Sequence, residues 1–155
     1  MTLKELAVAI VEKKYSNIPV HARPVHRYSD KTANELTKAI IAYCEFKGYK
    51  AWRQATEGRY LKEKYETNVI GHRILVSKGR YIPRSNQAKG AGDVTVLMPP
   101  HGRMISVEVK IGSDRQRPDQ KKFQTELEGI GGVYILTKSW DDFILQFQKH
   151  EPSGY

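Results

Sequence analysis

The chain has one cysteine, Cys44, in 155 residues. A disulfide within the chain needs two cysteines and a thiolate metal cluster needs more, so both are excluded. The usage fits a reducing, intracellular and cytoplasmic setting. Long hydrophobic runs are also missing. No stretch approaches the ~18 apolar residues of a membrane span. The opening MTLKELAVAIVEKK scatters charges through its apolar residues, unlike a signal peptide, so no membrane partner is expected. No G-x-x-x-x-G-K-[ST] occurs, which removes the nucleotide-binding P-loop. His21, His26, His72, His101 and His150 have no ligand spacing and are read as non-ligands. Acids are scarce relative to bases: 17 Asp and Glu against 26 Lys and Arg, a formal net charge of +9. A polyanion is the partner such a balance favours.

The periodicity implies one α/β domain with a short N-terminal extension. Leu3, Leu6, Ala7, Ile10 and Val11 recur at helical spacing and predict a helix over 3–14. Residues 15–30, with Pro19 and Pro24, read as an extended arm, so 1–30 form a helix-and-arm segment ahead of a domain spanning 31–150. A second helix is predicted over about 32–47, with Leu36, Ala39, Ile40, Tyr43 and Cys44 as its buried stripe and Gly48 as its stop. Cys44 lies on that stripe and is therefore a core residue. Tyr49–Arg53 reads as a strand.

Residues 54–92 read as an insert with a hairpin, its strands Val69–Val76 and Arg80–Ile82 turning at Lys78-Gly79. From Arg59 to Lys89 there are eight basic and two acidic residues, +6 of the total +9, with Tyr60, Tyr65 and Tyr81 interleaved. Such a segment suits a phosphate backbone with occasional base stacking. After it come two strands (93–98 and 103–111), a helix opening at Pro118 with Phe123, Leu127 and Ile130 as its stripe, and a strand over Val133–Leu136. A last helix follows, capped by Ser139–Asp142, with Trp140, Phe143, Ile144 and Phe147 inward. Glu151–Tyr155 reads as a loose tail. The expected architecture is a mixed central sheet flanked by helices, carrying a basic hairpin insert.

The chemistry concentrates in one hairpin. A symmetric loop at Pro99-Pro100-His101-Gly102 pairs Met98 with Arg103, Val96 with Ile105, Val94 with Val107 and Asp93 with Glu108. Val94, Val96, Ile105, Val107, Val109 and Ile111 then form one core face, while Asp93, Glu108 and Lys110 gather at one end of the other. Two carboxylates held roughly 5 Å apart repel unless a cation lies between them or one is protonated. A divalent metal held by Asp93, Glu108 and the Val109 carbonyl is one resolution, and Mg²⁺ or Mn²⁺ is the expected cofactor. Lys110 beside it suits charge developing on a phosphoryl group, which makes phosphodiester hydrolysis the reaction that calls for this set.

Gln120 projects toward the sheet from a first helical turn, either to orient water or phosphate near Lys110 or simply into solvent. Glu35 fits a capping box with Thr32, and is a possible additional acid for the metal. Gly90-Ala91-Gly92 reads as small residues that let substrate or metal approach the backbone. Arg53, Arg59, Arg80, Arg84, Lys89, Arg115, Arg117 and Lys121 are the candidate DNA-binding side chains.

Gly90-Ala91-Gly92-Asp93, Val107-Glu108-Val109-Lys110, Gln120 within Arg117–Phe123, and Gly131-Gly132-Val133-Tyr134-Ile135 together resemble the PD-(D/E)XK nuclease superfamily. Within it they resemble the small VRR-NUC domains, often phage-encoded and related to Holliday-junction resolvases. The likeness runs from about Lys31 to Phe147, and Gly92 stands where the superfamily name has a proline. It implies a restriction-endonuclease-like fold, with Asp93 and Glu108 as metal ligands, Lys110 as the catalytic lysine and Gln120 as the helix-borne glutamine. The expected activity is metal-dependent DNA endonuclease, with branched or flapped DNA among the substrates; resolvase-like enzymes commonly act as dimers, which leaves both monomer and homodimer open for this chain. A DNA-binding protein without catalysis on the same fold is the alternative.

Overall fold

The computed structural model describes residues 1–54, 59–82 and 89–152. By contacts the chain divides into a larger unit, Met1–Gln54 with Gly90–Tyr155, and a smaller one, Ala55–Lys89.

The larger unit is a mixed α/β fold: a central sheet flanked by helices. Its elements are α1 (Leu3–Lys14), α2 (Ala33–Phe46), β1 (Lys50–Arg53), and in the smaller unit β2 (Arg59–Leu61), β3 (Lys64–Thr67), β4 (Arg73–Ser77) and β5 (Arg80–Ile82). The larger unit then continues with β6 (Val94–Met98), β7 (Arg103–Val109), α3 (Pro118–Gly129), β8 (Val133–Thr137) and α4 (Trp140–Phe147). The sheet order is β1-β6-β7-β8. β1, β6 and β7 run antiparallel, and β8 joins β7 in parallel through the α3 crossover.

Burial explains why these segments take these forms. Thr2 caps α1 through a reciprocal box with Glu5, and Leu6 beneath it is fully buried. The α2 stripe Leu36, Ala39, Ile40, Tyr43 and Cys44 is buried as its spacing predicts, and Gly48 follows with φ 85°. Tyr43 meets Trp140, Phe143 and Phe147 of α4 edge-on, at ring separations of 5.7–6.0 Å, the arrangement aromatic quadrupoles favour. Val94, Val96, Ile105, Val107 and Val109 present one buried face to this layer. The β6–β7 register matches the symmetric-loop expectation from Met98–Arg103 through Val94–Val107.

Several expectations need correction. The expected extended arm over 15–30 is interrupted by a 3-10 turn at Val20–Ala22, and the 1–30 segment meets α4 at its two ends, where Trp140 donates its backbone N–H to Asp30 and its indole N–H to the Met1 carbonyl. The tail is tied at Glu151, whose carboxylate accepts from the Tyr43 and Tyr49 hydroxyls and pairs with Lys47. Residues 153–155 lie outside the described residues. Ile130, placed on the α3 stripe, is 84% exposed, because the helix has already ended and Ile130 is its C-cap.

The smaller unit departs most from expectation. β4 and β5 do not pair around Lys78-Gly79. Instead β3 pairs with β4, and β2 with β5. Val69 and Ile70 form the turn between β3 and β4 rather than the start of a strand. Strands β3 and β4 are exposed at every position, so no buried face fixes their register, and alternation carries little information there.

Candidate active site

The open end of β7 gathers four polar side chains from three elements. Glu108 and Lys110 project from the same face, two residues apart, and their side chains meet at 2.9 Å. Both are almost wholly buried. Gln120, in the first turn of α3, donates from Nε2 to the same Glu108 oxygen at 2.5 Å, while its Oε1 accepts from the Arg117 N–H at 2.8 Å. The amide thus caps its own helix and steadies Glu108 together. Asp93 sits just before β6, beyond the last ladder pair. Its Oδ2 accepts from the Val109 N–H at 2.9 Å, and its carbonyl accepts from the Gln54 N–H. The expected Asp93–Glu108 strand pair is therefore replaced by a side-chain bond from Asp93 onto the β7 backbone.

Two glycines permit this closeness. A Cβ on Gly92 would lie 2.6 Å from the Val107 carbonyl oxygen and 2.9 Å from the Ser106 hydroxyl, which accepts the Gly92 N–H. At Gly90, where φ is 88°, a Cβ would collide with the Asp119 carbonyl. These glycines serve the chain's own backbone contacts, a correction to their reading as room for substrate.

The electrostatics follow from burial. Burial pushes the Glu108 carboxyl up, the Lys110 hydrogen bond pulls it down, and the nearby Asp93 charge pushes it up again; the net is upward. Burial alone would lower Lys110, but its hydrogen bonds to Glu108 and Asp114 outweigh that and hold it above its ordinary value. Asp114, half exposed, is lowered by its 3.0 Å bond to Lys110. The lysine is thus a fixed cation rather than a base.

Asp114 was not singled out from the sequence. The signal was there, an acid four residues past Lys110 in the polar loop, but only the loop's turn brings it back. Tyr134, the β8 partner of Ser106, is also buried on this side. Burial and the Glu108 charge push its phenol up.

Glu35 is not brought to this cluster. Its carboxylate accepts from the Ser29 and Thr32 hydroxyls, and its N–H donates to Thr32 Oγ. Among the described residues no three His, Cys, Asp or Glu side chains converge as a metal cage. Two carboxylates suffice for Mg²⁺, which binds through one or two of them and completes its shell with water and phosphate oxygens. A hard-oxygen donor set at a buried, charge-strained end of a sheet fits such an ion.

Of the candidate DNA-binding residues, Arg53, Arg80, Lys89, Arg115, Arg117 and Lys121 are exposed. Arg59 lies on β2, and Arg84 lies outside the described residues. Among the described residues no helix is long and apolar enough to cross a membrane. No protein-family model matches the chain, and no curated protein matches it.

Proposed function

We propose that the chain is a metal-dependent deoxyribonuclease with a restriction-endonuclease-like PD-(D/E)XK core of the VRR-NUC type, hydrolysing DNA phosphodiester bonds, with branched or flapped DNA as the preferred substrate. The observation that carries this reading is the buried Glu108–Lys110–Gln120 network beside Asp93. A buried ion pair gives little net stability over packed hydrophobic residues. Three neighbouring elements nevertheless spend polar side chains to build one at the sheet's end.

Asp93, Glu108 and the Val109 carbonyl would hold Mg²⁺ or Mn²⁺, which supplies Lewis-acid polarisation of a phosphoryl oxygen and a lowered pKa for a bound water. The chain's own residues do the rest. The Val109 N–H and Gln120 hold the two carboxylates in place. Lys110, kept cationic by Glu108 and Asp114, stabilises the negative charge that grows on the phosphoryl oxygens. Arg115, Arg117 and Lys121 stand on the loop and first turn next to Lys110 and supply phosphate contacts.

The test is nicking of branched, flapped and plain duplex DNA with Mg²⁺ or Mn²⁺. Asp93→Asn is expected to lower cleavage by about 10³-fold, in line with loss of metal-ion catalysis, with an unchanged circular-dichroism spectrum. Equal cleavage by that variant would sink the reading. The second reading, a DNA-binding protein without catalysis, is favoured by one feature: Glu108 and Lys110 already neutralise each other. It predicts salt-dependent DNA binding with no hydrolysis at any metal concentration.

A further inference from the structure

Residues 59–82 carry exposed apolar surface that packing within their unit leaves uncovered. The turn Asn68–Val69–Ile70–Gly71 closes β3 on β4. It is tied by four hydrogen bonds: Gly71 N–H to the Asn68 carbonyl, Asn68 N–H to the His72 carbonyl, and the Ile70 and His72 N–H groups to the Asn68 side-chain oxygen. With Gly71 at φ 83°, this is a well-braced tip.

Turn chemistry favours Gly, Asn, Asp or Pro at the apex, each for a backbone reason. This apex instead holds two β-branched apolar residues. Val69 is fully exposed and Ile70 is 79% exposed. β-branched side chains have few rotamers, so they stand as a stiff apolar wedge. Asn68 and Gly71 supply the turn's backbone chemistry, so Val69 and Ile70 are not needed to make the turn, and their exposed apolar surface is free to meet a partner.

The surroundings indicate what the wedge enters. Between Ala55 and Lys89 the chain has eight Lys and Arg against three acids, a net +5. A second copy of the same unit would bring +5 against +5. A groove lined with phosphates meets that charge with its opposite. Behind the tip, the Arg73 guanidinium lies over the Tyr65 ring at 4.2 Å, so a cation is held on the ribbon. Apolar side chains inserted between base steps unstack and kink a duplex, and do so most cheaply where stacking is already weak.

We infer that the β3–β4 hairpin enters a groove of DNA tip first and that Val69 and Ile70 wedge into a weakly stacked step, such as a nick or branch point. The inference rests on the DNA-binding half of the proposed function and not on its hydrolytic half.

The experiment uses the full chain with EDTA, so that cleavage plays no part. The probes are DNA carrying 2-aminopurine beside a nick or at a branch, and an intact duplex of the same sequence. The wild-type chain is expected to raise the fluorescence and to bind the nicked and branched DNA about tenfold more tightly than the intact duplex, the scale of a saved unstacking step. Val69→Ser with Ile70→Ser is expected to lose the fluorescence rise and most of that preference, while keeping its affinity for intact duplex through the phosphates. Val69→Leu with Ile70→Leu is expected to retain both. An unchanged signal in the serine variant overturns the inference. So does a loss of all DNA binding together with a shift from dimer to monomer in sedimentation, which would make the tip a self-interface. Failure of metal-dependent cleavage alone would overturn the nuclease reading and leave this result standing.

Discussion

Residues 1–54 with 90–152 use their strands in a way opposite to residues 59–82. In the first region β6 is buried at four of its five positions and β7 at five of its seven. In the second, β3 and β4 are exposed throughout. A buried strand has its register fixed, because a slip of one residue would turn its apolar set to solvent. An exposed ribbon carries no such penalty, and its side chains are free to serve a partner. The same contrast separates two kinds of surface: a polar network set within a packed sheet, and an apolar, basic ribbon that meets solvent on both faces.

The contrast can be broken or sharpened by experiment. The largest expected effect is on chemistry in the buried region. Lys110→Met is expected to lower cleavage at saturating DNA by about 10²–10³-fold, the range for losing an electrostatic stabiliser of the transition state. The fold is expected to persist, because Glu108 is already pushed toward its neutral form by burial and can take up a proton when its partner goes. Single-turnover cleavage and a thermal melt check the two halves of this expectation.

Next is packing. Phe143→Ala removes a fully buried ring and is expected to cost about 3–5 kcal/mol. Ile74→Ala, on a side chain half exposed on β4, is expected to change stability by less than about 0.5 kcal/mol. Urea unfolding of both variants measures the contrast directly. Comparable losses would mean that the ribbon is covered in solution.

Gly92→Ala comes third. Its new Cβ would meet Val107 and Ser106 backbone and side-chain atoms, and the expected cost is about 1–3 kcal/mol from overpacking. Since Gly92 immediately precedes Asp93, cleavage is expected to fall more than stability does, which parallel melts and nicking assays would resolve.

The smallest effect concerns pH. Burial, then the Arg103 and Lys149 charges, lower the His150 pKa from its ordinary 6.5. The unfolded chain therefore binds a proton that the folded chain releases, and folding loses stability as pH falls below about 6.5 toward the lowered value. His150→Gln is expected to flatten that part of the stability curve, as read by melts between pH 5 and 8. An identical slope in wild type and variant would count against the assignment.

The legibility of the chain follows the same division. The α1 helix, the α2 stripe, the five β6–β7 pairs and the inward face of α4 were all readable, because each buries a periodic apolar set against a partner. Gln120 was readable as a polar group aimed from α3 toward the sheet, and it does reach Glu108. Asp114 was not, since its return to Lys110 depends on how the loop after β7 turns. The pairing of β2 with β5 and β3 with β4 was missed. Lys64-Tyr65-Glu66-Thr67 has no strand-like alternation of apolar and polar residues, and the apolar Val69-Ile70 looked like a strand when it is a turn. Glu35 was legible as a cap, and its bonds to Thr32 and Ser29 keep it outside the site.

By itself, the sequence determined the helices, the hairpin register and the placing of Glu108 and Lys110 on one face, because strand and helix periods force those outcomes wherever one side must be apolar. The tertiary structure alone decided that Asp93 would bind the β7 backbone instead of facing Glu108 as a strand partner, that Gln120 and Asp114 would complete the polar network, and that Val69 and Ile70 would stand at a braced tip. The Asp93 and Gln120 contacts join separate segments through side-chain reach, while the Asp114 contact and the braced tip depend on how a short loop turns, which apolar periodicity does not encode.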